Sequence, residues 1–442
     1  MLLLLPATRA RALSVDFDGS AGTSFTLPTF SVSAARTPRT PRKPGAPRAP
    51  RKPRTPRVPR RVPRRPSAPA PAPAPAPSPA EAGSVSFNGV TLPADAFSRT
   101  DRIPDSLVSA IDATRSTLRL ALYELTLPGV ADAIVRAKQR GVDVALIYDQ
   151  GHGAGAGPAG GSLPSSQSGP SAQFSQVVAA GIPVRLLKGG GSWGIMHNKI
   201  AIFDGELVET GSFNWTTAAD QNNFENAVFR DDASLASLYQ SYWDWMWALA
   251  TPVGGSAAPP AGGFGTPPSD PSPSVDFNGG VWPRAIFSPD GGTEARLVDA
   301  IAHCRSSLDI AIFSLYSQPV ADAVLAARGR GVAVRVVADV SQARRSPQVA
   351  ALVSQGVALR LSAGRGGAYG VLHHKFAVLD GKLTATGSFN FSQNAEKFNF
   401  ENQLYSADPG DAAAFEGEFE AVWAQAHVPG PGEVQGAGVA LR

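Results

Sequence analysis

A histidine followed two residues later by a lysine occurs twice among the chemically capable residues of this sequence, as His197/Lys199 and His373/Lys375. Each pair opens a stretch whose polar residues recur in step. The first, Met196–Asn226, reads MHNKIAIFDGELVETGSFNWTTAADQNNFEN, and the second, Leu372–Asn402, reads LHHKFAVLDGKLTATGSFNFSQNAEKFNFEN. Counting from the histidine, aspartate stands at +7 (Asp204, Asp380), and serine at +15 (Ser212, Ser388). Asparagine follows at +17 (Asn214, Asn390) and glutamate at +28 (Glu225, Glu401). Apolar core positions tolerate shuffling of residue type when volume is kept. Identical polar residues at identical offsets therefore read as chemistry.

The alternation in IMHNKIAIFD places His197, Lys199 and Ala201 on one strand face, so imidazole and ammonium project into the same space. The GSFN turn brings Ser212 and Asn214 alongside, and Glu225 arrives from a later strand, FENAVF. One such set is half a reaction centre. Two sets facing each other across a pseudo-twofold axis suit a phosphodiester. Lys199, Ser212, Asn214, Lys375, Ser388 and Asn390 would hold the phosphoryl oxygens as charge grows on them. One imidazole attacks phosphorus, while the other protonates the leaving oxygen and then deprotonates water. Each glutamate is expected to orient the imidazole of its own copy and to stabilise its cation. Because the lysines supply the positive charge, no metal or other cofactor is required.

Both stretches need the same scaffold. In each copy a helix (Ile103–Ser116; Thr293–Arg305) leads to an apolar strand (Leu118–Tyr123; Leu308–Phe313). An amphipathic helix (128–141; 319–331) and a buried-type strand (142–149; 332–339) follow, then a short helix and another strand (183–187; 357–361). Alternating strands and helices, with glycine ending each crossover helix, predict an α/β fold with parallel strand pairs. The first copy carries a Gly/Ser/Pro-rich loop after Gln150 that the second replaces with SQARRS. Its glycine spacing fits neither the P-loop nor the dinucleotide fingerprint. Trp243 and Trp247, four residues apart on a helix, match the Phe415, Phe419, Trp423 stripe and read as core packing.

The chain has 442 residues, enough for two domains and their linkers. Its formal net charge of +4 conceals two regions of opposite sign. Between Arg36 and Arg65 there are 13 Lys and Arg and no acidic residue, while the remainder holds 27 basic against 36 acidic residues. Residues 1–83, rich in Pro, Arg and Ala, are expected to form an extended spacer that attracts polyanions. The single cysteine, Cys304, excludes an internal disulfide and reads as a small buried residue. No run reaches the ~20 apolar residues of a membrane-spanning helix. The opening MLLLLPATRARA has the apolar run and Ala-Arg-Ala of a shortened export signal, which leaves export and cytoplasmic residence both open.

H-x-K-x(4)-D followed by GS-x-N and Glu-Asn resembles the motif of the phospholipase D superfamily, present twice as in its two-motif members. The resemblance covers 84–250 and 274–427, separated by a Gly/Pro linker (251–273) and followed by a tail (428–442). It implies tandem repeats, each a mixed β-sheet flanked by helices, packed as a pseudo-twofold pair. It implies a phosphohistidine intermediate without a metal, with His197 as nucleophile and His373 as general acid. Asp204 and Asp380 would support the fold rather than touch substrate. Each half resembles the small bacterial endonucleases that dimerise to build one site, through FSPDGG (287–292), AKQRGVDV and TGSFNWT. With both halves on one chain, no dimer is required. Nucleic acid is therefore the expected substrate, with anionic phospholipid, cleaved by a phospholipase D or phosphatidyltransferase, as the alternative. FSRTDR in the first copy departs from the Phe-Ser-Pro pattern.

Overall fold

The computed structural model describes residues 83–153, 169–255 and 263–434. The expected polyanion-binding spacer, most of the glycine-rich loop and the end of the tail lie outside these residues.

The first repeat opens with a hairpin, β1 (Ser84–Phe87) and β2 (Val90–Pro93), and then β3 (Asp95–Phe97). Next come α1 (Ile103–Ala113), β4 (Thr117–Leu122), α2 (Pro128–Gln139) and β5 (Asp143–Asp149). The turn-length α3 (Gln150–Gly153), α4 (Ala172–Ala179) and β6 (Val184–Leu187) lead to a second hairpin, β7 (Lys199–Phe203) and β8 (Leu207–Gly211). α5 (Thr217–Asn222), β9 (Asn226–Asp231), the long α6 (Ala233–Leu249) and the edge strand β10 (Thr251–Pro252) complete it.

The second repeat repeats this order. It runs through β11 (Val275–Phe277), β12 (Gly280–Trp282), β13 (Ala285–Ser288), α7 (Thr293–His303) and β14 (Ser307–Ile312). α8 (Gln318–Gly329), β15 (Ala333–Asp339), α9 (Val340–Ala343), α10 (Pro347–Ser354) and β16 (Ala358–Ser362) follow. β17 (Lys375–Leu379), β18 (Leu383–Gly387), α11 (Gln393–Lys397), β19 (Glu401–Ser406) and α12 (Pro409–Gln425) end it.

The strand order β6-β5-β4-β7-β8-β9-β3 in the first sheet is matched by β16-β15-β14-β17-β18-β19-β13 in the second. Only β4-β5-β6 and β14-β15-β16 are parallel, joined by the crossover helices α2 and α8. The remaining pairs are antiparallel, so each sheet is mixed as expected. The crossovers end at Gly141 and Gly331, whose φ of 93° and 91° a side-chain-bearing residue adopts only at a cost.

Two expected helices stop early. α1 and α7 end at Ala113 and His303 because Thr114 and Cys304 are already extended, and the next N–H groups turn to a carboxylate. Arg115, Ser116 and Thr117 donate to Asp204, and Arg305, Ser306 and Ser307 donate to Asp380. These aspartates sit in the tight turns after β7 and β17, at φ 53° and 54°. Asn88 and Asn278 also donate to them, tying the opening hairpins to the sheets. The Cys304 thiol joins the second cluster, and burial pushes it up to about 12, far from reactive.

Apolar side chains form one cluster under the outer helices of each repeat and a third between the repeats. In the third, α6 lies on β13 and α12 on β3: Tyr242 stacks on Phe287 at 4.0 Å, and Phe415 meets Phe97 at 5.1 Å. Trp243 and Trp247 stack on each other at 4.8 Å and Phe419 stacks on Trp423 at 5.8 Å, all against this cluster as the spacing predicts. Aromatic pairs add about 0.5–1.5 kcal/mol beyond the area they bury, which makes the repeat interface a core rather than a contact. Part of the span read as a linker is pinned to it. Phe264 packs on Phe400, and buried Asp270 pairs with Arg284.

Candidate active site

The segments just before β7 and β17 carry His197 and His373 out of the sheets and against the opposite repeat. The His197 N–H donates to the Phe400 carbonyl, and the His373 N–H to the Phe224 carbonyl, both at 2.9 Å. Met196 and Leu372 are fixed from behind, donating their N–H to Asp149 at 2.9 Å and Asp339 at 3.0 Å. The two rings are brought to a centroid separation of 6.4 Å, nearly perpendicular.

This crossing corrects the expected pairing. Glu401 of the second repeat holds Nδ1 of His197 at 2.8 Å, and Glu225 of the first holds Nδ1 of His373 at 2.9 Å. Neither glutamate serves its own copy's imidazole. The reason is local: each histidine segment runs parallel to the other repeat's Asn-Phe-Glu segment, so the glutamate one residue beyond the paired phenylalanine lies against the foreign ring.

Each carboxylate has a second support. Asn223 donates to Glu225 and Asn399 to Glu401, both at 3.0 Å. Burial would raise both glutamates, but the facing histidine and the lysines hold them below the usual carboxylate range. Burial drives both imidazoles down to about 4, against the pull of their glutamates. Neutral imidazole on an ionised carboxylate means that Nδ1–H donates to the glutamate and the Nε2 lone pair is left free.

Lys199 and Lys375 lie beneath, almost without exposure, each donating to the carbonyl of its own histidine at 2.5 and 2.6 Å. Their ammonium groups also lie 5.1 Å from the ring centres of Tyr123 and Phe313, which in turn abut the imidazoles at 5.0 and 4.8 Å. Burial lowers these ammonium groups to about 8 and about 7, the glutamates opposing it.

Asn214 and Asn390 line the cavity in front of the imidazoles, and the buried side-chain oxygen of each lacks a protein partner. Only the amide N–H groups can donate to the phosphoryl oxygens of a ligand in this cavity, since an amide oxygen accepts. Ser212 and Ser388, expected at the phosphate, are placed differently. Both are fully buried; Ser212 donates to Glu225 at 2.7 Å, and both hydroxyls accept the N–H of the following asparagine, Asn226 or Asn402. They brace the glutamate segments instead of lining the cavity. The preceding Gly211 and Gly387 are required there, since a Cβ would collide with the carbonyl oxygens of Asn226 and Asn402. Asp204 and Asp380 lie at the far ends of β7 and β17, about 20 Å from the histidines at the rise of an extended strand.

The cavity has a volume of ≈ 560 Å³ and is lopsided. The first repeat contributes Tyr123, Ile195, His197 and Asn214; the second adds Ser314, Tyr316, Ser392, Gln393 and Asn394 to its own His373 and Asn390. The FSRTDR segment serves the repeat interface, where Arg99 pairs with Glu418 at 2.9 Å. Glu418 also meets His374 at 3.2 Å, behind the site. Among the described residues, no group of three or more His, Cys, Asp and Glu is disposed to hold a metal ion.

The supporting residues Asn223, Asn399, Asp149 and Asp339 escaped the sequence reading, although a signal existed. NFEN is identical in both copies, and both buried strands end in aspartate.

Residues 107–247 and 297–423, more than half of the chain, match the family model described as cardiolipin synthase, PLD-like domain. A mitochondrial cardiolipin hydrolase of Xenopus laevis is 36% identical over 158 residues, covering 36% of this chain and 64% of that protein. A phospholipase D of Rickettsia bellii is 31% identical over 137 residues, covering 31% of this chain and 60% of that protein. The chain thus spans less than two thirds of the length of these relatives. The phosphatidylserine synthase of Haemophilus influenzae superposes over 75% of this chain and 86% of its own with a TM-score of 0.55 at 13% identity, which speaks for the fold alone. The chain belongs to the phospholipase D superfamily, whose domain it carries twice.

Proposed function

We propose that the protein is a phosphodiester hydrolase working through a covalent phosphohistidine, and that its substrates are anionic phospholipids. The mechanism rests on one observation: two imidazoles 6.4 Å apart, each with Nδ1 held by a carboxylate, open on a single cavity.

In the forward step Nε2 of His197 attacks phosphorus. The bond to the leaving oxygen breaks, and that oxygen takes a proton from Nε2 of His373. With its pKa lowered to about 4, His373 is neutral at pH 7 and has no Nε2 proton to give, but an anionic phosphodiester beside it favours the imidazolium. In the return step His373 takes a proton from water, the hydroxide attacks phosphorus, and the bond to His197 breaks. Lys199, Lys375 and the Asn214 and Asn390 amides stabilise the charge on the phosphoryl oxygens, in a water-poor site where such interactions are strongest. The glutamates stabilise whichever imidazole is charged. The choice of His197 as nucleophile follows the family resemblance.

The substrate class rests on the relatives and the family description, which name cardiolipin and phospholipase D. This departs from the nucleic-acid expectation. Outside Arg36–Arg65 acidic residues outnumber basic ones, whereas a nucleic-acid enzyme needs a basic stripe over its site. The deciding experiment offers the purified chain cardiolipin in phosphatidylcholine vesicles, phosphatidylcholine alone, single-stranded DNA, duplex DNA and RNA. Preferential turnover of cardiolipin is expected. Cleavage of nucleic acid with the lipids untouched would overturn the substrate assignment.

A further inference from the structure

Few large hydrophobic side chains are exposed among the described residues, and two of them are related by the internal twofold. Trp193 is 77% exposed and lies four residues before His197; Tyr369 is 87% exposed and lies four residues before His373. Their backbones are firmly held. In the first loop Gly190 donates to the Phe398 carbonyl at 2.7 Å, and Ile195 donates to the Asn399 side chain at 3.2 Å. In the second, Arg365 donates to the Asn222 carbonyl at 2.8 Å, and Val371 to the Asn223 side chain at 3.2 Å. Each loop is therefore bound to the segment of the other repeat that carries the glutamate, and each leads directly into one of the two histidines. Ile195 and Asn399 line the cavity, which puts Trp193 at its rim.

A loop so well anchored could have buried its aromatic ring or carried a polar residue instead. Phe398, 42% exposed, adds to the Trp193 corner. An exposed cation, Lys397, adjoins Phe398 at that corner, whereas the Arg365 guanidinium is spent on the Asp220 and Asn223 carbonyls, anchoring the Tyr369 loop. Amphipathic Trp and Tyr rings settle at the level of lipid headgroups, and neighbouring Lys and Arg strengthen the attraction to anionic lipid. Aromatic rings also stack on nucleic-acid bases, but such platforms line a basic groove that tracks the backbone. Here the exposed rings stand at two separate corners, one of them beside Lys397.

We propose that Trp193 and Tyr369 form a two-point dock on a bilayer surface containing anionic lipid, presenting the cavity to a headgroup. The proposal deepens the phospholipid reading and rests on it for the choice of surface. Among the described residues no helix is long and apolar enough to cross a membrane.

The test uses the full chain with Trp193→Ala and Tyr369→Ala combined, and Trp193→Phe with Tyr369→Phe as the conservative control. Three quantities are read: turnover of water-soluble bis(p-nitrophenyl) phosphate, co-sedimentation with phosphatidylcholine vesicles containing cardiolipin, and binding to single-stranded DNA. Vesicle binding is measured in high salt to screen the basic N-terminal segment. The alanine variant should keep its turnover of the soluble diester and its affinity for DNA, while its vesicle partitioning falls roughly tenfold or more, as interfacial binding scales with buried apolar area. The phenylalanine variant should retain most of the partitioning. Unchanged partitioning of the alanine variant overturns the dock, as does a loss confined to DNA binding. Loss of soluble turnover also overturns it, because the rings would then be shaping the site. Partitioning is read without catalysis. Wild-type protein that binds vesicles through these rings but cleaves no lipid therefore sinks the substrate assignment and leaves the dock standing.

Discussion

Glu401→Gln should disable His197, which lies in the other repeat 204 residues away in sequence, rather than His373. Glutamine keeps the shape and the room for Asn399 but removes the charge opposite Nδ1. A hydrogen bond to a charged group contributes about 1.5–3 kcal/mol, or about 10- to 150-fold in rate. A glutamine NH₂ turned toward Nδ1 would also force the proton onto Nε2, the nucleophilic atom. The analogous change in Ser-His-Asp triads costs roughly 10⁴ in kcat through the wrong tautomer. A loss between roughly 10² and 10⁴ is therefore expected. The assay is rapid-quench turnover of bis(p-nitrophenyl) phosphate, whose leaving group needs no proton. Glu401→Gln should form the phosphoenzyme slowly and show no burst. Glu225→Gln should show a burst followed by slow hydrolysis, because only the water-activating histidine is impaired. Mapping the labelled peptide identifies the nucleophile independently. If the phosphoryl group rides on His373, the two phenotypes exchange and the crossed pairing still holds. If the glutamate of the same repeat controls the labelled histidine, the reasoning is refuted.

His197→Ala and His373→Ala should each lower steady-state turnover of an unactivated diester by roughly 10⁴ or more, since units of a catalytic set fail together; near-normal activity in either speaks against a shared site. EDTA should leave the rate unchanged, and a loss reversed by a divalent ion would point to other chemistry. Glu209 is fully buried with both carboxylate oxygens unpartnered, and burial pushes its carboxyl well above the usual range. It therefore keeps its proton in the fold after the unfolded chain has released it, and stability must fall as pH rises above the ordinary carboxylate range. Glu209→Gln should remove that slope in denaturant titrations from pH 5 to pH 9; an unaltered slope would place the titration elsewhere.

Much of this architecture was legible because two copies of one pattern check each other. The strands ending in Asp149 and Asp339, the crossover helices and the aromatic stripe on α6 and α12 all stand where hydrophobic periodicity puts them. The crossed glutamates were illegible for the same reason. Under a twofold exchange, Glu225 and Glu401 stand at equal offsets from equivalent histidines, so spacing cannot say which ring each one meets. Only the pairing of Met196 with Phe400 and of Phe224 with Leu372 decides it, and that depends on how the two sheets pack. Ser212 was misplaced for a related reason. A hydroxyl beside a glycine turn suits a phosphate, but this one meets Glu225, which arrives 13 residues later from another strand.

The central claim is that the two copies make one reaction centre. Its most direct measurement is the number of phosphoryl groups bound covalently per chain when a labelled diester is quenched at neutral pH in the burst phase. One site shared by both repeats predicts at most one, on one histidine, and none when either His197 or His373 is replaced and the diester is unactivated. Two phosphoryl groups per chain, or labelling that survives both replacements, would contradict the account.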